Sequence, residues 1–270
     1  MKVAFQGEKG AYSETAVYTF FGASAEVNPC RDFKDVFESV EKKEVQFGVV
    51  PIENSLEGSV NQTYDLFLKH DLKVCGEVII RVSHCLVANP GSSIKQVKTV
   101  YSHPQALAQC RNFLERSGWE LIPTYDTAGS AKMLKEKNLK DAAAIASERA
   151  AEIYGLKILA REIEDTPNNY TRFFVLSKED ASKTGNDKTS IIFAAAHKPG
   201  SLYQALGEFA KRGISLTKIE SRPTKQTPWE YNFYLDFEGH RSEPRCVEAL
   251  EALQKYSAFI KILGSYPKAA

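Results

Sequence analysis

The 270-residue chain lacks any apolar run approaching the roughly 20 residues that a membrane-crossing helix needs, so no helical anchor is expected. Its five cysteines, Cys30, Cys75, Cys85, Cys110 and Cys246, are odd in number and include no CxxC pair. That argues against a disulfide framework and against a zinc ribbon, and they read as reduced and mostly buried. The five histidines show neither HExxH nor clustered spacing, so no metal centre is expected. Excess charge is missing too: the net charge is +1 and no extended Lys/Arg run offers a footprint for nucleic acid. No secretory leader is visible either. A strand-like segment at residues 2–5 follows Met1 directly, which leads to the expectation of a cytoplasmic protein.

What is present is an ordinary globular composition, with 43% hydrophobic and 26% charged residues, in a chain long enough for one large domain or two unequal ones. Up to about residue 177, short β-rich runs alternate with helical patterns, as in a parallel or mixed α/β sheet. Ser13 can cap a helix carrying Ala16, Val17, Phe20 and Phe21, with Gly22 as its stop. Asp32 can start the next helix, where Phe33, Val36, Phe37 and Val40 recur at i, i+3, i+4 and i+7 before the strand at 47–52. The alternation continues through a strand at 99–101, a helix after Pro104, a strand around Leu121 and Ile122, a helix after Thr127 and a strand at 170–176. The text "KEDASKTGND" at 178–187 is polar, with one glycine, and reads as a linker. Beyond it the order is strand 189–195, helix 201–212, strands 214–221 and 231–237, helix 244–255 and strand 259–263. That βαββαβ series is the ferredoxin-like arrangement.

In open α/β sheets, ligands bind beyond the carboxyl ends of the strands, where helix N-termini offer free N–H groups. Five turns carry polar residues there: "QGEKGAYSE" (6–14), "PIENSLEGS" (51–59), "YSHPQALAQC" (101–110), "YDTAGSA" (125–131) and "NNYTRFF" (168–174). Taken singly, each also has a plain structural explanation. Gly7 and Gly10 can serve a tight turn and fit neither GxGxxG nor a Walker loop. Glu53, Asn54 and Ser55 can be turn or capping residues, and Asp126 with Thr127 has the form of an N-cap. His103 precedes Pro104 at a helix start, where Ser102 and Gln109 are better placed to reach a ligand. Thr171, Arg172 and Phe173 can be a strand with alternating faces.

The combination is more specific. "GEKGAYSE", "VPIENSLEGS", "YSHPQALAQC", "DTAGSA", "AAAIAS" and "YTRFFVLS", followed by "GSLYQAL" and "KIESRP", resemble in order the prephenate dehydratase family with its C-terminal ACT domain, over essentially the whole chain. The resemblance implies a dehydratase domain at 1–178, similar to periplasmic binding proteins, with lobes 1–78 plus 163–178 and 79–162. A linker at 179–187 and an ACT domain at 188–270 would follow. It implies a cofactor-free active site between the lobes. Thr171 would be tied most closely to catalysis and Arg172 and Phe173 would shape the site. Glu53, Asn54, Ser55, Ser102, Gln109, Asp126 and Thr127 would contribute to the same cleft.

Prephenate, the implied substrate, becomes aromatic on losing carbon dioxide and water, so the site must orient two carboxylates and help a hydroxyl depart. Arg172 and helix N-termini suit the first task. Thr171 is the expected hydrogen-bond donor for the second, with the proton coming through a neighbouring acid, Glu53 or Asp126, or through water. For the ACT domain the resemblance implies L-phenylalanine as effector at a dimer interface, in a homodimer or homotetramer. Gly200, Ser201, Leu202, Glu220, Ser221, Arg222 and Pro223 would lie at that effector site. Arogenate dehydratase is the alternative within the same family, and a non-catalytic amino-acid sensor the alternative outside enzymes.

Overall fold

Strand and helix alternate from the first residues because β-rich runs and amphipathic segments follow one another, and the computed structural model, which describes residues 1–195, 198–224 and 230–269, realises that order. The chain opens with β1 (Lys2–Gln6), α1 (Tyr12–Phe21), β2 (Glu26–Cys30), α2 (Phe33–Glu41), β3 (Phe47–Asn54), the two-residue β4 (Gly58–Ser59), α3 (Asn61–Lys69) and β5 (Lys73–Arg81). It continues through β6 (Cys85–Ala88), β7 (Thr99–Ser102), the short α4 (Pro104–Gln109) and α5 (Arg111–Glu115), then β8 (Glu120–Pro123), α6 (Thr127–Glu136), β9 (Ala142–Ala146), α7 (Glu148–Tyr154) and β10 (Lys157–Ala160). After β11 (Tyr170–Ser177) come β12 (Asp187–Ala195), α8 (Ser201–Ala210), β13 (Leu216–Pro223), β14 (Tyr231–Glu238), α9 (Pro244–Gln254) and β15 (Ser257–Pro267).

The chain divides into two compact units, Met1–Leu68 with Val78–Phe173, and Lys69–Glu77 with Phe174–Ala270. Residues 69–77 and 174–178, both expected in the first lobe, thus group with the C-terminal unit. Three sheets result, ordered β2-β1-β3-β11-β5 (with β4 on β3), β10-β6-β9-β7-β8, and β13-β14-β12-β15. In the first sheet β1 runs parallel to β2 and β3, and in the second β7 runs parallel to β8 and β9. These parallel strands send their carboxyl ends and the following helix N-termini toward common edges. All five residues of β9 are buried and four are alanine, small enough to let α6 pack closely on the strand.

One helix start differs from expectation. Ala11, not Ser13, is the N-cap of α1, and Ser13 lies inside the helix and buried. The turn is tied instead by Glu14, whose carboxylate accepts from the Gly10 N–H at 2.7 Å and pairs with Arg149 at 3.2 Å. Gly10 holds φ +91, and a Cβ there would meet the Ala150 backbone at 2.7 Å, while Ser147 Oγ donates to its carbonyl at 2.6 Å. Glycine is therefore required where the first loop meets α7. Gly10→Ala is expected to cost about 2–4 kcal/mol through strain and clash, read as a lowered urea midpoint with an unchanged slope.

In the C-terminal unit all four strands of the ferredoxin-like sheet pair antiparallel. Ile191, Phe193, Leu235 and Phe237 pack there with Ala205 and Phe209 of α8 and Ala249 and Leu253 of α9. Asp187, assigned to the linker by its polar surroundings, is instead the buried first residue of β12, its carboxylate taking N–H bonds from Thr184 and Gly185. Among the described residues no helix is long and apolar enough to cross a membrane.

Candidate functional site

A cavity of about 450 Å³ opens in the first unit at the carboxyl ends of β1 and β3 and the amino end of β11. Its wall brings together the first turns of four helices: Tyr12 and Ser13 of α1, Gln62 of α3, His103 and Gln105 at the start of α4, and Asp126 and Thr127 at the start of α6. Asn54, Gln109, Thr171 and Phe173 complete the polar and aromatic surface. None of the described lining residues is a lysine or arginine, so an anion here would be met by helix N–H groups and neutral donors.

Strand parity explains which neighbours enter the cavity. Thr171 and Phe173 line it, whereas Arg172 between them does not, because successive side chains of β11 point to opposite faces. On β3, Pro51 and Asn54 line the cavity and Glu53 does not. Arg172 and Glu53 meet instead, Nε 3.6 Å from Oε2, with only 11% of the arginine side chain exposed. Ser55 and Ser102 are braces outside the cavity. Ser55 Oγ donates to Asn168 O at 3.0 Å and accepts from Tyr170 N at 2.9 Å, which holds the start of β11. Ser102, fully buried, donates to Ile145 O at 2.8 Å and ties β7 to β9.

The donors and acceptors around Thr171 can be assigned without ambiguity. Backbone N–H groups of Leu56 and Glu57 donate to Asn54 Oδ1 at 3.0 and 3.1 Å, so the other end of that amide is Nδ2. Nδ2 lies 2.7 Å from Asn169 Oδ1, 3.0 Å from Thr171 Oγ1 and 3.2 Å from Tyr170 O. Thr171 Oγ1 is thus an acceptor toward Asn54, and its single proton remains available for donation elsewhere. Asn169 Nδ2 then donates to Gln109 Oε1 at 3.1 Å, and His84 Nε2 donates to the same oxygen at 3.0 Å. The Gln109 amide nitrogen has no hydrogen-bond partner among the described residues, and Gln109 lines the cavity.

His84, 2% exposed, closes this chain. Burial holds its pKa below the ordinary value, with Gln109 and Glu164 acting the other way, so the imidazole is disposed to be neutral. The Tyr12 hydroxyl donates to Ser83 O at 2.5 Å and sits 3.2 Å from His84 Nδ1. Burial, reinforced by Cys85, Glu164 and Cys110, raises the Tyr12 phenol well above its usual range and keeps it protonated. Asp126 caps α6, its Oδ2 accepting from Gly129 N at 3.2 Å and from Glu8 N at 3.1 Å. His103 caps α4 through Nδ1, which accepts from Gln105 N at 3.2 Å.

Of the residues singled out in the sequence, Asn54, Gln109, Asp126, Thr127, Thr171 and Phe173 share the cavity, while Glu53, Ser55, Ser102 and Arg172 support it from outside. Tyr12, Gln62, His84 and Asn169 were missed. His84 and Asn169 lack any motif that marks them, although Asn169 stands within the quoted "NNYTRFF" string.

A second cavity, about 720 Å³, lies in the C-terminal unit, lined in part by Gly200, Ser201 and Leu202 at the head of α8 together with Tyr231 and Phe233 of β14. Gly200 adopts φ +82 as the N-cap of α8. Glu220, Ser221, Arg222 and Pro223 belong to β13, paired with β14, and are not among the described lining residues. His197, at the head of the "HKPGSLYQAL" string that carries Gly200 to Leu202, falls outside the described residues.

A two-sheet α/β unit with a polar cavity at its strand ends, followed by a ferredoxin-like module with a cavity of its own, defines the class as a two-part α/β protein with an appended ferredoxin-like domain. The prephenate dehydratase family model matches residues 3–181 and the ACT domain model residues 189–254. The bifunctional chorismate mutase/prephenate dehydratase of Aquifex aeolicus is 48% identical over all of this chain and 74% of its own length. The arogenate dehydratase/prephenate dehydratase 2 of Arabidopsis thaliana is 46% identical over 99% of this chain and 73% of its own. Among solved structures, the prephenate dehydratase of Arthrobacter aurescens in complex with L-Phe matches with TM-score 0.91 and 34% identity over 99% of this chain and 90% of that one. A protein described as a novel type of quorum quenching acylase, GqqA, matches with TM-score 0.90 and 35% identity over 100% and 98%. The chain belongs to the prephenate dehydratase family of hydro-lyases and carries an ACT domain.

Proposed function

We propose that this chain converts prephenate to phenylpyruvate, carbon dioxide and water, and that L-phenylalanine binding to the ACT domain regulates it. The observation that carries the reading is the Thr171 hydroxyl, oriented by Asn54 so that its proton is free, in a cavity walled by helix N-termini. In the reaction the ring carbon–carboxylate bond breaks and its electron pair enters the ring. The hydroxyl on the opposite ring carbon leaves, and a proton completes it to water. Aromatisation supplies the driving force, so the protein's task is to hold two carboxylates and stabilise the departing oxygen. The first turn of α1 and the amide of Gln109 suit the carboxylates, and Thr171 suits the oxygen. Arg172 acts from behind, holding Glu53 and thereby the end of β3 beside Asn54.

The separate sheets β2-β1-β3-β11-β5 and β10-β6-β9-β7-β8 support the reading of two lobes, 1–78 with 163–178 and 79–162. Gly200, Ser201 and Leu202 at the second cavity support an effector site there, in a homodimer or homotetramer. An arogenate dehydratase is the second reading, favoured by the name of the Arabidopsis relative. Because a structural relative carries an acylase activity by name, assay rather than likeness decides. Purified protein incubated separately with prephenate and arogenate is expected to form phenylpyruvate from prephenate preferentially, and added L-phenylalanine to change the rate and raise Tm. Preferential formation of phenylalanine from arogenate would move the chain to the second reading. No product from either would sink both, and an effector without influence on rate or Tm would remove the regulatory claim.

A further inference from the structure

We infer that His103 is a catalytic residue of the proposed reaction, working as a neutral imidazole whose Nε2–H donates a hydrogen bond to the departing hydroxyl. The inference rests on the dehydratase reading above and gives a second partner to the oxygen that Thr171 contacts. It starts from which proton-bearing side chains of the cavity are already engaged. The Tyr12 hydroxyl is committed to Ser83 O, His84 Nε2 to Gln109, and the Tyr125 hydroxyl to Glu8 Oε1 at 3.2 Å. Asp126 accepts two N–H bonds, and Glu53, the other acid considered from sequence, lies off the cavity. His103 lines the same cavity, and its Nε2 has no partner among the described residues.

The tautomer follows from the helix cap. Gln105 N–H donates to Nδ1 at 3.2 Å, so Nδ1 presents a lone pair and the ring proton sits on Nε2. Protonation would put an N–H on Nδ1 facing another N–H, and would cost the cap. Burial also holds the ring below its ordinary pKa, with Asp126 acting in the opposite sense. The titratable groups that share the cavity with it are Asp126 and Tyr125 at the head of α6, Tyr12 on α1, and His84. Asp126 also indicates which substrate oxygen belongs here. The substrate carries two carboxylates and one neutral hydroxyl, and a carboxylate beside Asp126 would be repelled, whereas the hydroxyl would not. As its C–O bond breaks the oxygen gains negative charge, so a donor on it strengthens toward the transition state. The proton that makes water of that oxygen comes from solvent, and His103 keeps its own.

The two roles of His103 separate by substitution. His103→Asn keeps an acceptor where Nδ1 stands and loses the donor. His103→Gln keeps an amide donor near the place of Nε2 and loses the cap. We expect His103→Asn to retain the wild-type Tm and lose about 100-fold in kcat, and His103→Gln to melt at lower temperature and keep kcat within about tenfold. Nitrogen-15 NMR of the wild-type protein should show His103 protonated at Nε2 and not at Nδ1 from pH 6 to 8. Wild-type kcat in His103→Asn, or an Nδ1-protonated ring across that range, would overturn the inference. Wild-type protein inactive on both prephenate and arogenate would overturn the dehydratase reading instead, and the NMR result stands apart from that outcome.

Discussion

Thr171→Val is expected to lower kcat about 100- to 1000-fold while leaving Tm within about 2 °C of wild type. Valine keeps the branched shape that β11 accommodates and removes only the hydroxyl. Asn54 Nδ2 loses one acceptor but retains Asn169 Oδ1 at 2.7 Å and Tyr170 O at 3.2 Å, so no buried donor is orphaned and the local fold should survive. The loss corresponds to one preorganised donor on an oxygen that becomes charged in the transition state, about 2.7–4 kcal/mol. Because the bond strengthens along the reaction, the effect should fall on kcat with little change in KM. A variant with wild-type kcat and an intact melting profile would remove Thr171 from the mechanism. A fall confined to KM would make it a binding residue.

The largest expected effect on stability is in the C-terminal unit. Lys188 Nζ lies 3.1 and 3.0 Å from the two carboxylate oxygens of Glu77, with 8% and 2% of the two side chains exposed. The Ala269 N–H also donates to Glu77 at 3.0 Å. Burying an ion pair gives little net stability, but removing one partner strands the other charge away from water. Lys188→Met should therefore cost about 3–5 kcal/mol in urea unfolding, and Glu77→Gln combined with Lys188→Met should recover much of it. If the single variant lost less than about 1 kcal/mol, water must reach Glu77 and the pair is not sealed. Among the described residues lining the cavity around Thr171 there is no such pair, so this test leaves the proposed chemistry untouched.

The fold was largely legible because periodicity is local. The i, i+3, i+4, i+7 pattern of Phe33, Val36, Phe37 and Val40 places α2 correctly, and the capping signal of Asp32 is met, with Asp35 accepting from the Asp32 N–H at 3.2 Å. The βαββαβ order after the linker was readable for the same reason. What failed locally was subtle. Ser13 has the chemistry of a cap but follows the true cap by two residues, since the glycine turn and Glu14 decide where α1 begins. β2 carries Pro29 on a polar edge strand and gave no alternating apolar signal, so it went unread, and α3, β5, β6, β9, α7 and β10 were not assigned from the sequence either.

By itself the sequence determined the α/β alternation, the break before the ferredoxin-like module, and the strings that mark the family, because each depends on residues close together in the chain. Only the tertiary structure decided which of those residues face one another. Thr171 and Asn54, 117 positions apart, meet through strand pairing, while Arg172, next to Thr171, turns away because a strand alternates its faces and pairs with Glu53 instead. Likewise His84 and Asn169 join Gln109 in one hydrogen-bonded line only because separate segments of the chain converge on it, and the direction of every bond in that line is set by two backbone N–H groups at Asn54. Donor direction is a property of the assembled network, and no spacing along the chain encodes it.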